Sequence, residues 1–284
     1  MHTDERRIAV PSKTKEILDE FHLRAKKGYG QNFLVDPVIT RKCAELSHCG
    51  DAVIEIGPGI GSLTEELALH SKHVTAYEID PDMAEVLKHT LASYNNVEVI
   101  LQDFLESDIE TKIKQLKDNY GQVTVCANLP YYITTPVLFR IFDMGDDIPY
   151  ITVMVQKEVG DRFAAKPGDK DYSALSVEGQ YLYKIRKLFT VPGRSFNPSP
   201  RVDSSVIQFE RRQDIESTID LKDFFQFVRA CFKQRRKTLI NNLKEYYQDG
   251  DKAQKVLDKA GISVSVRAQE LSWEELKHIY EASL

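Results

Sequence analysis

Nowhere in the 284 residues is there an apolar run of the ~18 residues that a membrane-spanning helix needs. The opening stretch, MHTDERRIAV, also lacks the uninterrupted apolar segment of an export signal. A soluble, unexported, cytoplasmic chain with no membrane partner is therefore expected. Cysteine is sparse: Cys43, Cys49, Cys126 and Cys231 stand apart, without Cys-x-x-Cys spacing. That pattern argues against a zinc ribbon or a disulfide framework, so reduced, mostly buried thiols and no metal are expected. Internal repeats and low-complexity tracts are missing as well. Excess positive charge is missing too, the formal net charge being -5. This counts against a nucleic-acid partner only until the distribution is inspected, because overall charge can hide a local basic surface.

What is present is enough apolar material, 42% of residues, to fill a core. The length suits one large domain and a smaller one. Strand-like runs alternate with helical ones: DAVIEI (51–56), HVTAYEI (73–79), VEVILQD (97–103), QVTVCAN (122–128) and YITVMVQ (150–156). Such alternation implies an α/β fold, a parallel sheet with helices on both faces, because parallel strands need crossover connections. Leu63, Leu67 and Leu69 are read as apolar positions of the first such helix. Asp80-Pro81 and Thr135-Pro136 are read as helix starts, and a helix is expected around Glu158 to Ala165. YKIRKLFTV (183–191) and SSVIQFERR (204–212) suit two further strands at one edge, joined by a Pro-rich loop. From about Arg212 the spacing of Phe224, Val228, Phe232, Leu239 and Leu243 turns helical, and Ser272 with Glu275 forms a capping box. The expected division is an N-terminal basic arm with one helix near Lys13 to Phe21 (1–29), a main domain (30–211) and a C-terminal all-helical domain (212–284).

Three glycines in Glu55-Ile56-Gly57-Pro58-Gly59-Ile60-Gly61 stand where a strand must turn sharply into a helix and let a ligand approach backbone. Glu78, 21 residues after Gly57, ends the next strand and suits the hydroxyls of a ribose. Asp103, ending the third, can accept from an adenine amino group. A dinucleotide fingerprint would place glycine where Ser62 stands, and Pro58 removes an N–H that could hold a pyrophosphate. The spacing favours an adenosine ligand without phosphates, and S-adenosylmethionine is the common cofactor that fits. A tight turn beside two solvated acids is the plainer alternative.

VTVCANLPYYITTP (123–136) breaks from a strand into Asn128-Leu129-Pro130-Tyr131. An exocyclic base amine is a poor nucleophile because its lone pair is delocalised into the ring. The Asn128 side-chain oxygen and the Leu129 carbonyl can each accept one of its hydrogens. Pro130 stiffens the turn and Tyr131 offers a stacking ring. Alignment alone can contribute about 7–11 kcal/mol, so no strong base is required.

The segments EIGPGIGSLT, NLPYYITTP, GQNFL, FNPSPRVDSSV and FKQRRKTLINNL, in that family's order from about Gly28 to Leu243, closely resemble the KsgA family of bacterial small-subunit ribosomal RNA adenine dimethyltransferases. Tyr29 departs from the aliphatic residue expected before GQNFL. The resemblance implies a Rossmann-like class I S-adenosylmethionine-dependent methyltransferase. Its expected reaction is dimethylation at N6 of two adjacent adenosines near the 3′ end of 16S rRNA, in an assembling small subunit, by a monomer. It also implies that Asn32 and Leu34 close over the methionine end of the cofactor, that Gly57 and Gly59 lie against it, that Glu78 holds the ribose and Asp103 the adenine, and that Asn128 sits between cofactor and amine. Phe196 becomes a second aromatic wall for the base; without the family it reads as a loop anchor packed on the core.

Arg229, Lys233, Arg236, Lys237 and Lys244 are read as one basic stripe on the C-terminal helix, flanked by Arg235 and Asn241, with no acid from Arg229 to Lys244. Such a stripe can neutralise RNA phosphates. Arg6, Arg7, Lys13, Lys15, Arg24, Lys26 and Lys27 in the N-terminal arm are weaker candidates for the same role. The rival readings are a macrolide-resistance methyltransferase acting on large-subunit rRNA, and an assembly factor or transcription-associated RNA binder for which methylation is dispensable.

Overall fold

A strand buried on both faces reads as continuous apolar sequence, and all five residues of Ala52–Ile56 are buried. The computed structural model describes residues 7–23, 30–215 and 219–284; Arg6, Arg24, Lys26, Lys27 and Tyr29 lie outside them. In chain order the elements are α1 (Pro11–Glu20), β1 (Phe33–Leu34), α2 (Pro37–Leu46), β2 (Ala52–Ile56), α3 (Ser62–His70), β3 (His73–Glu78), α4 (Pro81–Thr90) and β4 (Val97–Leu101). There follow α5 (Ile109–Tyr120), β5 (Val123–Asn128), α6 (Thr134–Phe142), β6 (Tyr150–Gln156), α7 (Lys157–Ala164), α8 (Ala174–Leu182), β7 (Tyr183–Val191), β8 (Phe196–Asn197) and β9 (Ser204–Arg211). Helices α9 (Leu221–Cys231), α10 (Leu239–Tyr247), α11 (Gly250–Ala260) and α12 (Trp273–Ser283) complete the chain.

Seven strands form one sheet in the order β4-β3-β2-β5-β6-β9-β7. Its first five strands are parallel, and β9 lies antiparallel to β6. The chain builds outward from β2 through β3 to β4, then returns to place β5 on the other side of β2. That reversal between β2 and β5 opens a crevice beyond the strands' carboxyl ends, where α/β sheets bind ligands. Local chemistry sets the helix starts. Asp36 and Asp80 accept from backbone N–H groups of the first turns of α2 and α4, each with proline at the first position. Thr135, by contrast, is no cap: α6 begins one residue earlier, and Thr134 Oγ1 donates to the Pro130 carbonyl at 3.2 Å. Leu63 and Leu67 are buried as the pattern requires, whereas Leu69 is 48% exposed.

The chain groups into two units, one up to Gly160 with Arg186–Arg211, the other Asp161–Ile185 with Arg212–Leu284. The expected boundary after residue 211 left Asp161–Ile185 in the main domain. They group with the second unit because Tyr172 Oη donates to the Leu271 carbonyl at 2.9 Å and Glu178 is gripped by Arg229. In the first unit, Ile8 and Ile17 pack with Phe33, Ile60, Met83 and Leu87. Arg7 turns inward, its Nε 3.3 Å from Glu66 and an Nη 3.7 Å from Glu65, so it is a structural ion pair rather than an RNA contact. In the second unit, Phe224, Phe227, Tyr181 and Tyr280 form a ring cluster. The four cysteines are free and buried, and burial pushes the Cys43 thiol up to about 12.

The run read as one basic helix is two. Helix α9 stops at Cys231, residues 232–236 form turns, and α10 starts at Leu239. Buried Asn242 closes the corner by donating to the carbonyls of Cys231 (2.8 Å) and Gln234 (3.3 Å). The stripe does not exist as a helix face.

Candidate active site

The turn after β2 carries Gly57, Gly59 and Gly61 at φ of 70°, 59° and 95°, a region that favours glycine. A Cβ on Gly57 would stand 3.4 Å from Pro130 Cδ, and one on Gly59 3.4 Å from Phe33 Cδ1. The bare turn thus lies flush with the Asn-Leu-Pro-Tyr turn on one side and with β1 on the other. Gly61 serves packing instead, since its Cβ would press on Leu91 and Leu87 at 3.2–3.3 Å.

Glu78 is 5% exposed and tightly held. Its Oε2 accepts from Gly59 N–H at 3.2 Å, and its Oε1 from Ile79 and Asp80 N–H, both at 2.9 Å. A carboxylate has about four acceptor sites, so Oε2 keeps capacity toward the cavity. Burial raises the Glu78 carboxyl above its ordinary value against the pull of those N–H groups. Asp103 accepts from Leu105 N–H at 2.9 Å, which fixes its carboxylate at the same rim. Asn32 donates to the Gly30 carbonyl at 3.0 Å.

Asn128 ends β5, beside Met154 of β6. Leu129 N–H donates to the Met154 carbonyl at 3.1 Å, and the Pro130 carbonyl accepts from Ile133 N–H at 3.2 Å, which rolls the turn into α6. Among the described residues neither the Asn128 side chain nor the Leu129 carbonyl has a hydrogen-bond partner. The Tyr131 hydroxyl meets buried Ser204 Oγ at 2.7 Å, and burial raises its pKa. Phe196 is 4% exposed: it joins the apolar cluster with Leu34 and Val206, as a loop anchor would, and it also borders the cavity. It is held there by a small antiparallel ribbon, β1 with β8, pairing Leu34 with Phe196 and Phe33 with Asn197.

These parts line one cavity of about 290 Å³. Asn32, Leu34, Gly57, Gly59, Glu78, Asp103, Asn128, Leu129, Pro130, Tyr131 and Phe196 all border it. So do residues that sequence reasoning missed, chiefly Glu55 and Tyr132. Glu55 is 1% exposed, its Oε2 has no hydrogen-bond partner, and burial, with the nearby Glu78 charge adding, pushes its pKa up to about 8. A lone acid inside the apolar strand AVIEI was the available signal. Tyr132 is 54% exposed and lies over Gly30.

The basic candidates are in the second unit, and three are engaged there. Arg229 grips Glu178 at 2.8 and 3.0 Å, Lys233 reaches Glu245 at 2.5 Å, and Arg235 donates to the carbonyls of Lys170 and Tyr172 at 2.6 and 3.1 Å. Arg236 and Lys237 are exposed. Among the described residues no group of His, Cys, Asp or Glu side chains is placed to hold a metal ion, and no helix is long and apolar enough to cross a membrane.

The family model described as ribosomal RNA adenine dimethylase matches residues 22–283. A ribosomal RNA small subunit methyltransferase A of Bacillus cytotoxicus is 43% identical over 282 residues, 97% of each chain. Among solved structures, a dimethyladenosine transferase from Plasmodium falciparum is 25% identical with a TM-score of 0.73, over 87% of this chain and 95% of that one. The 23S rRNA methyltransferase ErmE is 27% identical with a TM-score of 0.66, over 88% and 99%.

Proposed function

The chain belongs to the ribosomal RNA adenine dimethylase family, and on that premise we propose that it moves methyl groups from S-adenosylmethionine to adenosine N6 in 16S rRNA. The acceptors in this reading are two adjacent adenosines near the 3′ end, presented in an assembling small subunit to a cytoplasmic monomer. The observation that carries it is the pair of unengaged acceptors, Asn128 Oδ1 and the Leu129 carbonyl, in one cavity with the glycine turn and two aromatic walls.

The residues present fit an adenosine cofactor. The side-chain-free turn leaves room at Gly57 and Gly59, Glu78 Oε2 retains capacity for a ribose hydroxyl, Asp103 is fixed for the adenine amine, and Asn32 and Leu34 cover the far end. When bound, S-adenosylmethionine supplies a methyl group on a cationic sulfur leaving group. Asn128 and Leu129 each accept one amine hydrogen, which draws the nitrogen lone pair out of conjugation and aims it. Tyr131 and Phe196 stack the extruded base, offsetting the few kcal/mol that unstacking costs. Pro130 holds the turn's shape. Arg229, Lys233, Arg235, Arg236 and Lys237 serve RNA phosphates, with Arg236 and Lys237 the more available members of the set.

The likeness to a 23S rRNA enzyme makes large-subunit RNA the rival substrate. The test is to incubate the protein and methyl-labelled cofactor with unmethylated small-subunit particles and, separately, with large-subunit RNA, reading dimethyladenosine by mass spectrometry. Product confined to the small-subunit arm supports the reading, and product confined to the other arm overturns it.

A further inference from the structure

We infer that the Pro-rich loop 192–203 is a phosphate clamp, gripping the RNA backbone beside the target adenosine through Arg194 and Arg201. The inference rests on the functional reading above and deepens it, by naming residues of the cavity's own unit that hold the RNA strand.

The loop is built to keep one shape. Its neck is tied where Gly193 N–H donates to Asp203 Oδ1 at 3.0 Å and Lys157 N–H donates to the Asp203 carbonyl at 2.9 Å. Ser195 pins the middle: its N–H donates to the Pro192 carbonyl at 2.9 Å, its Oγ to Asp36 Oδ2 at 3.2 Å, and its carbonyl accepts from Val35 N–H at 2.8 Å. The two limbs touch closely enough that a Cβ on Gly193 would stand 2.9 Å from the Pro200 carbonyl. Pro192, Pro198 and Pro200 fix further torsions.

From this frame Phe196 alone turns into the cavity, while Arg194, two residues before it, and Arg201, five after it, are exposed. Among the described residues neither guanidinium has an ion-pair or hydrogen-bond partner. The contrast with other arginines is informative: Arg7, Arg140 and Arg229 are all paired with carboxylates. The loop's own acid, Asp203, directs an oxygen into the neck. Two unpaired guanidiniums on a rigid loop, two residues before and five after the ring proposed to stack a base, suit phosphate: the guanidinium fork matches its oxygens, and little ordering is lost on binding. Phosphate contacts position a strand without reading it. Here they would hold the backbone flanking the extruded nucleotide, a task that Arg229, Lys233 and Arg235, engaged within the second unit, perform less readily.

The test compares wild type with Arg194→Gln/Arg201→Gln, measuring affinity for small-subunit RNA between 50 and 200 mM salt. Two lost phosphate contacts should flatten the slope of log affinity against log salt by about 1.4–1.8. Over that fourfold salt range the wild type should therefore lose about seven- to twelvefold more affinity than the variant. Arg194→Lys/Arg201→Lys, which keeps the charge, should restore most of the slope, and calorimetric binding of S-adenosylmethionine should be unchanged throughout. A glutamine variant with intact cofactor binding and the wild-type slope overturns the clamp. If the double variant does not fold, each single glutamine substitution should flatten the slope by about 0.7–0.9, and no change in either overturns the inference equally. Failure of the functional reading is seen separately, as wild-type protein that transfers no methyl group to small-subunit particles.

Discussion

Tyr131→Phe removes one oxygen and nothing else from the proposed base wall, so it separates stacking from hydroxyl chemistry. The hydroxyl lies 2.7 Å from Ser204 Oγ, and Ser204 is 0% exposed. Removing it leaves a buried oxygen without that partner, a loss of about 1–3 kcal/mol. That loss should appear as a lower denaturant midpoint. Tyr131→Phe/Ser204→Ala removes both partners and should recover most of it, since apolar replacement of both ends of a buried bond is close to neutral. The ring itself stays, so single-turnover methyl transfer at saturating RNA should fall only severalfold. Tyr131→Ala also forfeits stacking of about 1–3 kcal/mol per base, so its rate should fall roughly tenfold to a hundredfold. The assay is rapid-quench transfer of labelled methyl to small-subunit particles, beside chemical denaturation of each variant. If Tyr131→Phe is as inactive as Tyr131→Ala, the oxygen takes part in the reaction and the stacking argument is wrong.

Asn128→Ala should slow single-turnover transfer by about a hundredfold or more, the scale of one lost preorganised polar contact in a transition state, with RNA affinity nearly unchanged; a parental rate would make the turn purely structural. Glu78→Ala should weaken S-adenosylmethionine binding by about 1–3 kcal/mol, and calorimetry showing parental affinity in a folded variant would remove Glu78 from the ribose. Glu55 tests burial through pH. Its carboxyl is raised from 4.5 to about 8, so the folded state binds this proton more tightly than the unfolded state. The resulting stability is fully present below about pH 4.5 and is lost as pH rises through about 8. Glu55→Gln should therefore match its parent near pH 4 and exceed it in denaturant midpoint at pH 9, whereas a gap that does not vary with pH would contradict this.

The parts legible in the sequence are those governed by local chemistry. Glycines at positive φ, the Asp80-Pro81 helix start, the Ser272–Glu275 capping box and acids at strand ends all follow from short-range rules, and they lie where those rules put them. The break between α9 and α10 was hidden because Phe232 and Leu239, seven residues apart, keep the helical phase across it, and no glycine or proline marks the turn. What ends the helix is Asn242 reaching back to Cys231, which periodicity does not encode. The inward turn of Arg7 depends on Glu65 and Glu66, nearly sixty positions away in sequence. Leu69 was read with Leu63 and Leu67 as an apolar position of α3, but two residues beyond Leu67 it falls on the exposed side of the helix. Ser204 gave no hint of its bond to Tyr131, because that contact joins the first residue of β9 to a turn 73 residues earlier.

The ribbon of β1 and β8 pairs Leu34 with Phe196, so the segment proposed to cover the cofactor is fastened to the ring proposed to wall the base. Two residue pairs make a short ladder, but Leu34 and Phe196 are both buried and Val35 N–H donates to the Ser195 carbonyl beside it at 2.8 Å, so the two segments keep a fixed relation to each other. Displacing one side therefore displaces the other. On the proposed reading, an enzyme that must exchange a spent donor between two transfers to one nitrogen has its donor and acceptor walls on one two-pair ribbon, so a substitution at Leu34 is expected to reach the acceptor side through Phe196.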